Sequence, residues 1–364
     1  MDNMLYGVMP KRIFDYLLNL LLLIGFTAFL TSCDNDEKRG EEGNEEEVYG
    51  SDRLIYALFP PRALGDHSVN DLQLEGILRA RQNLKFDVMI YSPQNMKDAE
   101  VMLELCVNMI KSNETGQNLL LLCGQEYEAP LINYLTENEW NESKASDIIL
   151  LETNNTSLPI TTFEIDYYEV SYIAGAIASL FAEKAAIIEA CPGMQLLDRA
   201  AQGFSDGWNE NQTTPSPLPI AYISDSYEGF SMTQRARQLA DSLHRKEEVQ
   251  FIYPLAGYSN QGIYQYTRQT MDSEIYTSGM DVNLSSYSAR IVFSVVKQLD
   301  QLLESYIQAW WDQKEMPLHA TYGLKDGYAD IALVEEYEES YRTLVAYYKE
   351  VLTEKQTKTA AYEK

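Results

Sequence analysis

The alternation of short apolar runs with amphipathic stretches from Leu54 onward predicts an α/β fold of two lobes, each a doubly wound parallel sheet. Strand-like runs at residues 54–59, 86–91, 118–123 and 147–151 are separated by helical stretches at 71–82, 96–111 and 128–135. Such a βαβα order closes as a parallel sheet with right-handed crossovers. A second set of the same kind begins after Pro159, and 364 residues with 45% hydrophobic content suffice for two cores of about 150 residues each.

The first apolar run, Leu54-Ile55-Tyr56-Ala57-Leu58-Phe59, leads into the turn Gly65-Asp66-His67-Ser68-Val69-Asn70 and then a helix whose apolar side is Leu72, Leu74, Ile77 and Leu78. Ser68 or Asn70 is the expected N-cap, since either side chain can accept from the free N–H groups of the first turn. A turn at the carboxyl end of a strand in an open α/β sheet is also where small ligands bind, and this one presents a carboxylate, a hydroxyl and an amide together. The plain alternative is a capped turn. Pro93 and Gly124 punctuate later strand ends in this half.

In the second set, strands are expected at 160–163, 185–190, 220–223, 249–253 and 275–280, with helices at 168–183, 196–211, 231–245 and 262–270. Residues 286–310 carry Ile291, Val292, Val295, Val296, Leu299, Leu302 and Leu303 at helical spacing, which predicts one long helix returning to the first lobe. Late strands follow within 322–333. The expected division is therefore 51–158 with 286–312 as the first lobe, 159–285 with 313–345 as the second, and a surface helix or tail at 346–364.

The N-terminal stretch reads as an address. Lys11 and Arg12 precede an apolar segment from Tyr16 to Leu30, shorter than the ~20 residues that span a bilayer, and Leu30-Thr31-Ser32-Cys33 closes it with small residues. That tetrapeptide resembles a bacterial lipobox, so 1–32 is expected to be a signal peptide and Cys33 the lipidated N-terminus; Met9 is an alternative start. An uncleaved signal anchor is the competing reading. The acidic run at 33–50 is too poor in apolar residues to fold and reads as a tether. It resembles the surface-export signals of Bacteroidota lipoproteins, with outer-membrane and cell-surface display the implied location. Cys106, Cys123 and Cys191 lie in apolar runs and read as small buried hydrophobes.

Net charge of −27 argues against a nucleic-acid partner, because an acidic surface repels phosphates. Enzyme readings find little support. The three histidines, His67, His244 and His319, lack the spacing of a helical zinc pair, and neither G-x-x-x-x-G-K-[ST] nor G-x-S-x-G occurs. No cofactor or metal is expected.

Several segments, in order, resemble the basic membrane protein (Bmp) family of substrate-binding lipoproteins, which includes purine-nucleoside receptors. The opening D-x-S-x-N-x-x-x-x-E-G is present as Asp66 to Gly76, with Val69 where the family usually has Phe. Tyr168-Glu169-Val170-Ser171-Tyr172-Ile173-Ala174-Gly175 is similar to E-G-S-F-L-x-G, and Gly193-Met194 with Gln202-Gly203-Phe204-Ser205-Asp206-Gly207 to G-G-M followed by x-G-F-x-x-G. Ala256-Gly257-Tyr258-Ser259-Asn260-Gln261-Gly262 stands where the family has A-G-G-T-G-x-G. Gly279-Met280-Asp281, Ser294-Val295-Val296-Lys297 and Tyr322-Gly323-Leu324-Lys325-Asp326-Gly327 resemble G-V-D, S-M-V-K and L-G-L-K-x-G.

The resemblance implies a periplasmic-binding-protein type I architecture with crossing hinge strands, a small polar ligand held between the lobes, and delivery to a transporter. It implies that Asp281 and Lys297 converge on sugar hydroxyls, with an ion pair between the two as the alternative. Asp66, Ser68 and Asn70 would line the cleft beside a base edge, and Gly257 would approach the ligand. Stacking would fall to Tyr127, Tyr227 or Tyr258, because Val69 removes the usual ring; the loop Gly124-Gln125-Glu126-Tyr127 departs from the family's G-x-G-F. A nucleoside is the leading ligand. The rival reading is a surface lipoprotein that kept the fold as a sensor or interaction protein without a nucleoside.

Overall fold

The computed structural model describes residues 53–113, 117–270 and 274–362. The expected signal peptide, Cys33 and the acidic tether lie outside these residues. Two six-stranded sheets form the frame. The first takes β1 (Leu54–Leu58), β2 (Asp87–Tyr91), β3 (Asn118–Leu122), β4 (Ile148–Leu151), β5 (Thr161–Ile165) and β11 (His319–Tyr322), in the order β11-β5-β4-β3-β1-β2. All its neighbouring pairs are parallel.

The second sheet takes β6 (Ala185–Glu189), β7 (Ile220–Tyr222), β8 (Phe251–Leu255), β9 (Tyr276–Asp281), β10 (Ile291–Lys297) and β12 (Ala329–Leu333), in the order β12-β10-β9-β8-β6-β7. Only β12 runs antiparallel to its neighbour. Between the strands lie α1 (Val69–Leu84), α2 (Met96–Ser112), α3 (Glu128–Glu137), α4 (Tyr168–Ala178), α5 (Gln195–Glu210), α6 (Thr233–Glu247), α7 (Asn260–Gln269), α8 (Leu299–Trp311) and α9 (Glu335–Tyr362).

Strands sandwiched between helix layers need apolar residues on both faces, and β1, β3, β4, β6 and β8 are buried almost throughout. In the first lobe Leu58, Leu120, Leu122 and Leu150 pack under Leu103, Cys106, Val107 and Ile110 of α2. In the second, Phe204 of α5 stacks on Tyr253 of β8 with centroids 4.1 Å apart.

Two expectations about the division of the chain are corrected. Residues 161–165 belong to the first sheet, since β5 pairs with β4 and β11; Pro159 ends a loop and not a lobe. The expected helix over 286–310 is a strand followed by a helix. The branched side chains of Ile291, Val292, Val295 and Val296 favour the extended form, and helix formation begins at Leu299, where Leu replaces Val and Ile. Accordingly 291–297 sits in the second sheet and 319–322 in the first.

The chain thus passes between sheets three times: from β5 to α4, from β10 to α8, and from β11 to β12. The passages bond to each other, Asp166 N–H to Tyr322 O at 2.8 Å and Gln298 N–H to Tyr328 O at 2.9 Å. Helix α8 returns to pack on α1, where Gly76 lies so close that a Cβ would stand 2.5 Å from the Asp300 carbonyl oxygen.

Helices α4 and α5 meet through glycines. A Cβ on Gly207 would lie 1.9 Å from the Tyr172 carbonyl oxygen, and one on Gly175 would lie 2.0 Å from that of Phe204. Backbone on both sides leaves no flexible atom to yield. Gly207→Ala is expected to destabilise the chain by about 1–3 kcal/mol, seen as a lower urea midpoint with unchanged slope. An unaltered midpoint would contradict this contact.

Candidate functional site

The carboxyl ends of β1, β3 and β4 in the first lobe and of β9 and β10 in the second contribute side chains that reach one another. Asp281 ends β9 in the left-handed conformation, φ +67°, and is 5% exposed. Its two oxygens accept hydrogen bonds from Ser68 Oγ, of the first lobe, and from the Tyr167 hydroxyl, at the first passage between sheets. Burial and the charges of Asp281 and Glu152 push the Tyr167 phenol well above its ordinary range, so it remains a donor.

Lys297 is the last residue of β10, not a residue of the following helix, and its Nζ donates to Glu152 Oε2 at 2.5 Å. It also lies 3.8 Å from the Tyr167 ring centroid, a cation–π contact. The alternative of an ion pair between Lys297 and Asp281 is not what the structure has: the two sit on adjacent strands, Val296 in register with Asp281, and Lys297 bonds to Glu152 while Asp281 bonds to Ser68 and Tyr167. Glu152 follows β4 with φ +64° and is 6% exposed. Burial raises its carboxyl against the pull of Lys297, and its Oε1 has no partner. Two non-glycine residues in the left-handed region cost on the order of 1 kcal/mol or more each, a strain that tends to gather at functional sites.

Asp66 is the capping group, and neither Ser68 nor Asn70 caps. Its carboxylate accepts from the N–H groups of Ser68 (2.9 Å), Asn70 (3.1 Å) and Asp71 (3.2 Å) and from Asn70 Nδ2 (2.8 Å). These bonds favour the charged form, but burial outweighs them and pushes the carboxyl up to about 6. Asn70, its amide nitrogen committed to Asp66, keeps a buried Oδ1 without a partner.

The aromatic candidates separate. Tyr127 is corrected to a core residue: the 3₁₀ turn Gln125–Tyr127 folds its ring against Leu58, Leu122 and Leu131, and its hydroxyl donates to Phe59 O at 2.5 Å. Tyr227, 37% exposed, opens the 3₁₀ turn Tyr227–Ser231, and its phenol is pushed up to about 12 by burial and then by Glu126, Cys191 and Glu128. Glu126 and Glu128 belong to the first lobe and Cys191 to the second. Gly257 has φ +51°, and a Cβ there would stand 3.0 Å from the Phe230 ring. Tyr258 is exposed at 42%.

Sequence reasoning missed Glu152, Tyr167 and Glu126. The signal for Glu152 was a lone carboxylate directly after the apolar run Ile148 to Leu151, at the kind of strand end that had already singled out Asp66. Nothing comparable marks Tyr167, one of 26 tyrosines.

Two facing lobes of mostly parallel sheet, joined by three passages, are the architecture of the periplasmic-binding-protein type I class. A family model for Bmp, the ABC transporter substrate-binding proteins described as PnrA-like, matches residues 55–361, and the chain belongs to that family. Among solved structures, an ABC transporter solute-binding protein from Aeropyrum pernix K1 is 18% identical, with a TM-score of 0.64 over 84% of this chain and 86% of that one. A transcriptional activator of the comK gene from Bacillus halodurans is 19% identical, with a TM-score of 0.57 over 81% and 97%. A solute-binding protein from Agrobacterium vitis bound with alpha-D-tagatopyranose is 13% identical, with a TM-score of 0.56 over 81% and 99%. No curated protein sequence matches the chain. The family's role is substrate binding for ABC transport, with a small-molecule ligand and a transporter as partners.

Burial pushes several carboxyls up: Asp66 to about 6, and Glu126, Glu164, Glu169 and Glu189 to about 7. The ordinary values are 3.8 for Asp and 4.5 for Glu, so across this window the folded chain holds more protons than the unfolded one. Stability conferred by these groups is lost as pH rises through their folded values. The melting temperature is expected to be higher at about pH 5.5 than at about pH 7.5; a scan with the opposite order would show that these groups do not govern it.

Proposed function

We propose that the chain is a lipid-anchored receptor that captures a nucleoside between its lobes and passes it to an ABC transporter. The observation that carries this reading is the polar cluster of Asp281, Lys297, Ser68 and Glu152 at the facing strand ends. A carboxylate and an ammonium side by side can accept from and donate to the vicinal hydroxyls of a sugar. On opening, Asp281 and Lys297 part from Ser68 and Glu152, and a ligand with several hydroxyls and ring nitrogens takes their place.

One observation favours a second reading, a sensor or interaction protein without a nucleoside. Asp281 and Lys297 are already satisfied by protein groups, and Val69, at the position of the family's usual aromatic ring, packs on the core. A thermal-shift screen against nucleosides separates the two. Ligand at 100 times Kd adds about 2.7 kcal/mol of stability. Lys297→Met should abolish the shift with a loss of about 2–5 kcal/mol in binding, while lowering the melting temperature, because Glu152 then loses its partner. A nucleoside bound with equal affinity by wild type and Lys297→Met would refute this cleft chemistry, and no shift with any nucleoside would support the sensor.

Anchoring rests on Leu30-Thr31-Ser32-Cys33 and on the polar run after it, which has no apolar surface of its own to hold a membrane. Cys33→Ser is expected to move the protein from membrane to soluble fractions. Retention in the membrane would point to an uncleaved signal anchor. Protease accessibility on intact cells tests display at the cell surface.

A further inference from the structure

The loop after β3 carries chemistry that the sugar-binding cluster does not use. Gly124 leads into the 3₁₀ turn, Tyr127 is buried beneath it, and Gln125 and Glu126 are thereby held between the ends of β1 and β4 in the sheet order. Glu126 folds back over Gly124: a Cβ on that glycine would lie 2.3 Å from Glu126 Oε2 and 2.7 Å from Pro60 Cγ. The chain therefore needs glycine at 124 for the carboxylate to occupy this place. Where Glu126 stands, the family pattern has glycine.

Among the described residues no cation pairs with Glu126. Glu128, two residues on, accepts from Thr153 Oγ1 and Asn155 Nδ2, which ties this loop to the one that carries Glu152, and the charge of Glu126 is felt by Tyr227 and Cys191 of the other lobe. Gln125 Oε1 and Glu152 Oε1 are buried without a partner, and Glu152 is nine-tenths buried with its other oxygen directed across the lobes to Lys297. The ammonium of Lys297 is thus already matched by one carboxylate. Above about pH 7, where Glu126 ionises, what is left is a surplus of negative charge and of lone pairs. Each unmatched buried acceptor is costly, and the group that relieves it must bring N–H donors. An oxo group or a phosphate there would add further lone pairs against the same oxygens.

We propose that Gln125, Glu126 and Glu152 form a subsite for an amino group of the ligand, the exocyclic amine of an aminopurine nucleoside, with the Tyr227 ring beside the base. This rests on the nucleoside reading and adds a selectivity to it. Lys297 and Asp281 hold the sugar, and the acidic loop chooses the base by its donor edge.

Adenosine and inosine share the sugar and the ring frame and differ at one position, amino in the first and oxo in the second, so calorimetric titration of both tests the subsite directly. At about pH 8.5, above the raised Glu126 value of about 7, wild type is expected to prefer adenosine by roughly tenfold or more, the worth of one charge-assisted hydrogen bond. Glu126→Gln, which keeps the shape, removes the charge and supplies an amide donor for the oxo group, should narrow or invert that ratio while the variant melts no lower than wild type. Equal affinities in wild type, or an adenosine preference unchanged in Glu126→Gln, overturn the subsite and leave the nucleoside reading standing. If wild type binds neither nucleoside, the nucleoside reading fails, and the subsite with it.

Discussion

An ammonium taken out of water between two lobes must have a carboxylate against it, since the desolvation of a lone charge costs several kcal/mol. Lys297 meets that requirement with Glu152 and not with the acid on its neighbouring strand. Asp281 in turn is satisfied by Ser68 and Tyr167. All three of these bonds from the second lobe therefore end on the first lobe or on the passage to it. On the proposed reading, a ligand replaces this set of bonds only by offering an equivalent one, so the cluster would act as both a latch and a filter.

The passages between sheets explain how the two halves of the cluster come to face each other. Tyr167 follows β5, Lys297 ends β10, and both stand where the chain leaves one sheet for the other. Residues at such points move least when lobes rotate about them, while Ser68 and Glu152 move with the first lobe. Hinged closure of this kind needs only a few residues to change their backbone angles. The bonds linking the passages, such as Asp166 to Tyr322, keep them together as one hinge.

The acidic character of the chain has a local counterpart. Glu126, Glu164, Glu169 and Glu189 are all pushed up to about 7, each by burial first and by neighbouring acids after it. A cation in place of one of those neighbours would relieve the shift, and Arg199 is instead committed to Asp166, with Nε 2.8 Å from Oδ1. On the proposed reading, this balance favours a neutral, donor-rich solute over an anion.

How much of this was legible beforehand depends on the range of the interaction involved. Apolar runs and turn residues are local, so nearly every strand and helix, the opening turn with Asp66 and the placement of Asp281 at a strand end could be read directly from residue order. Failures came where local signals were degenerate or absent. Ile291 to Val296 fit helical spacing and strand spacing alike, and their branched side chains together with pairing to β9 and β12 made them a strand; β5 looked like the start of a new lobe until its pairing with β4 placed it in the first. The partner of Lys297 lies 145 positions away, and no periodicity encodes it. Tyr127, a stacking candidate by its place in the loop, is a core residue whose hydroxyl donates to Phe59 O. Sequence alone determined that this is a two-lobed α/β chain with polar groups at its strand ends. Tertiary structure alone decided which of those groups meet, because charge pairing across a cleft is set by how two separately folded sheets are joined.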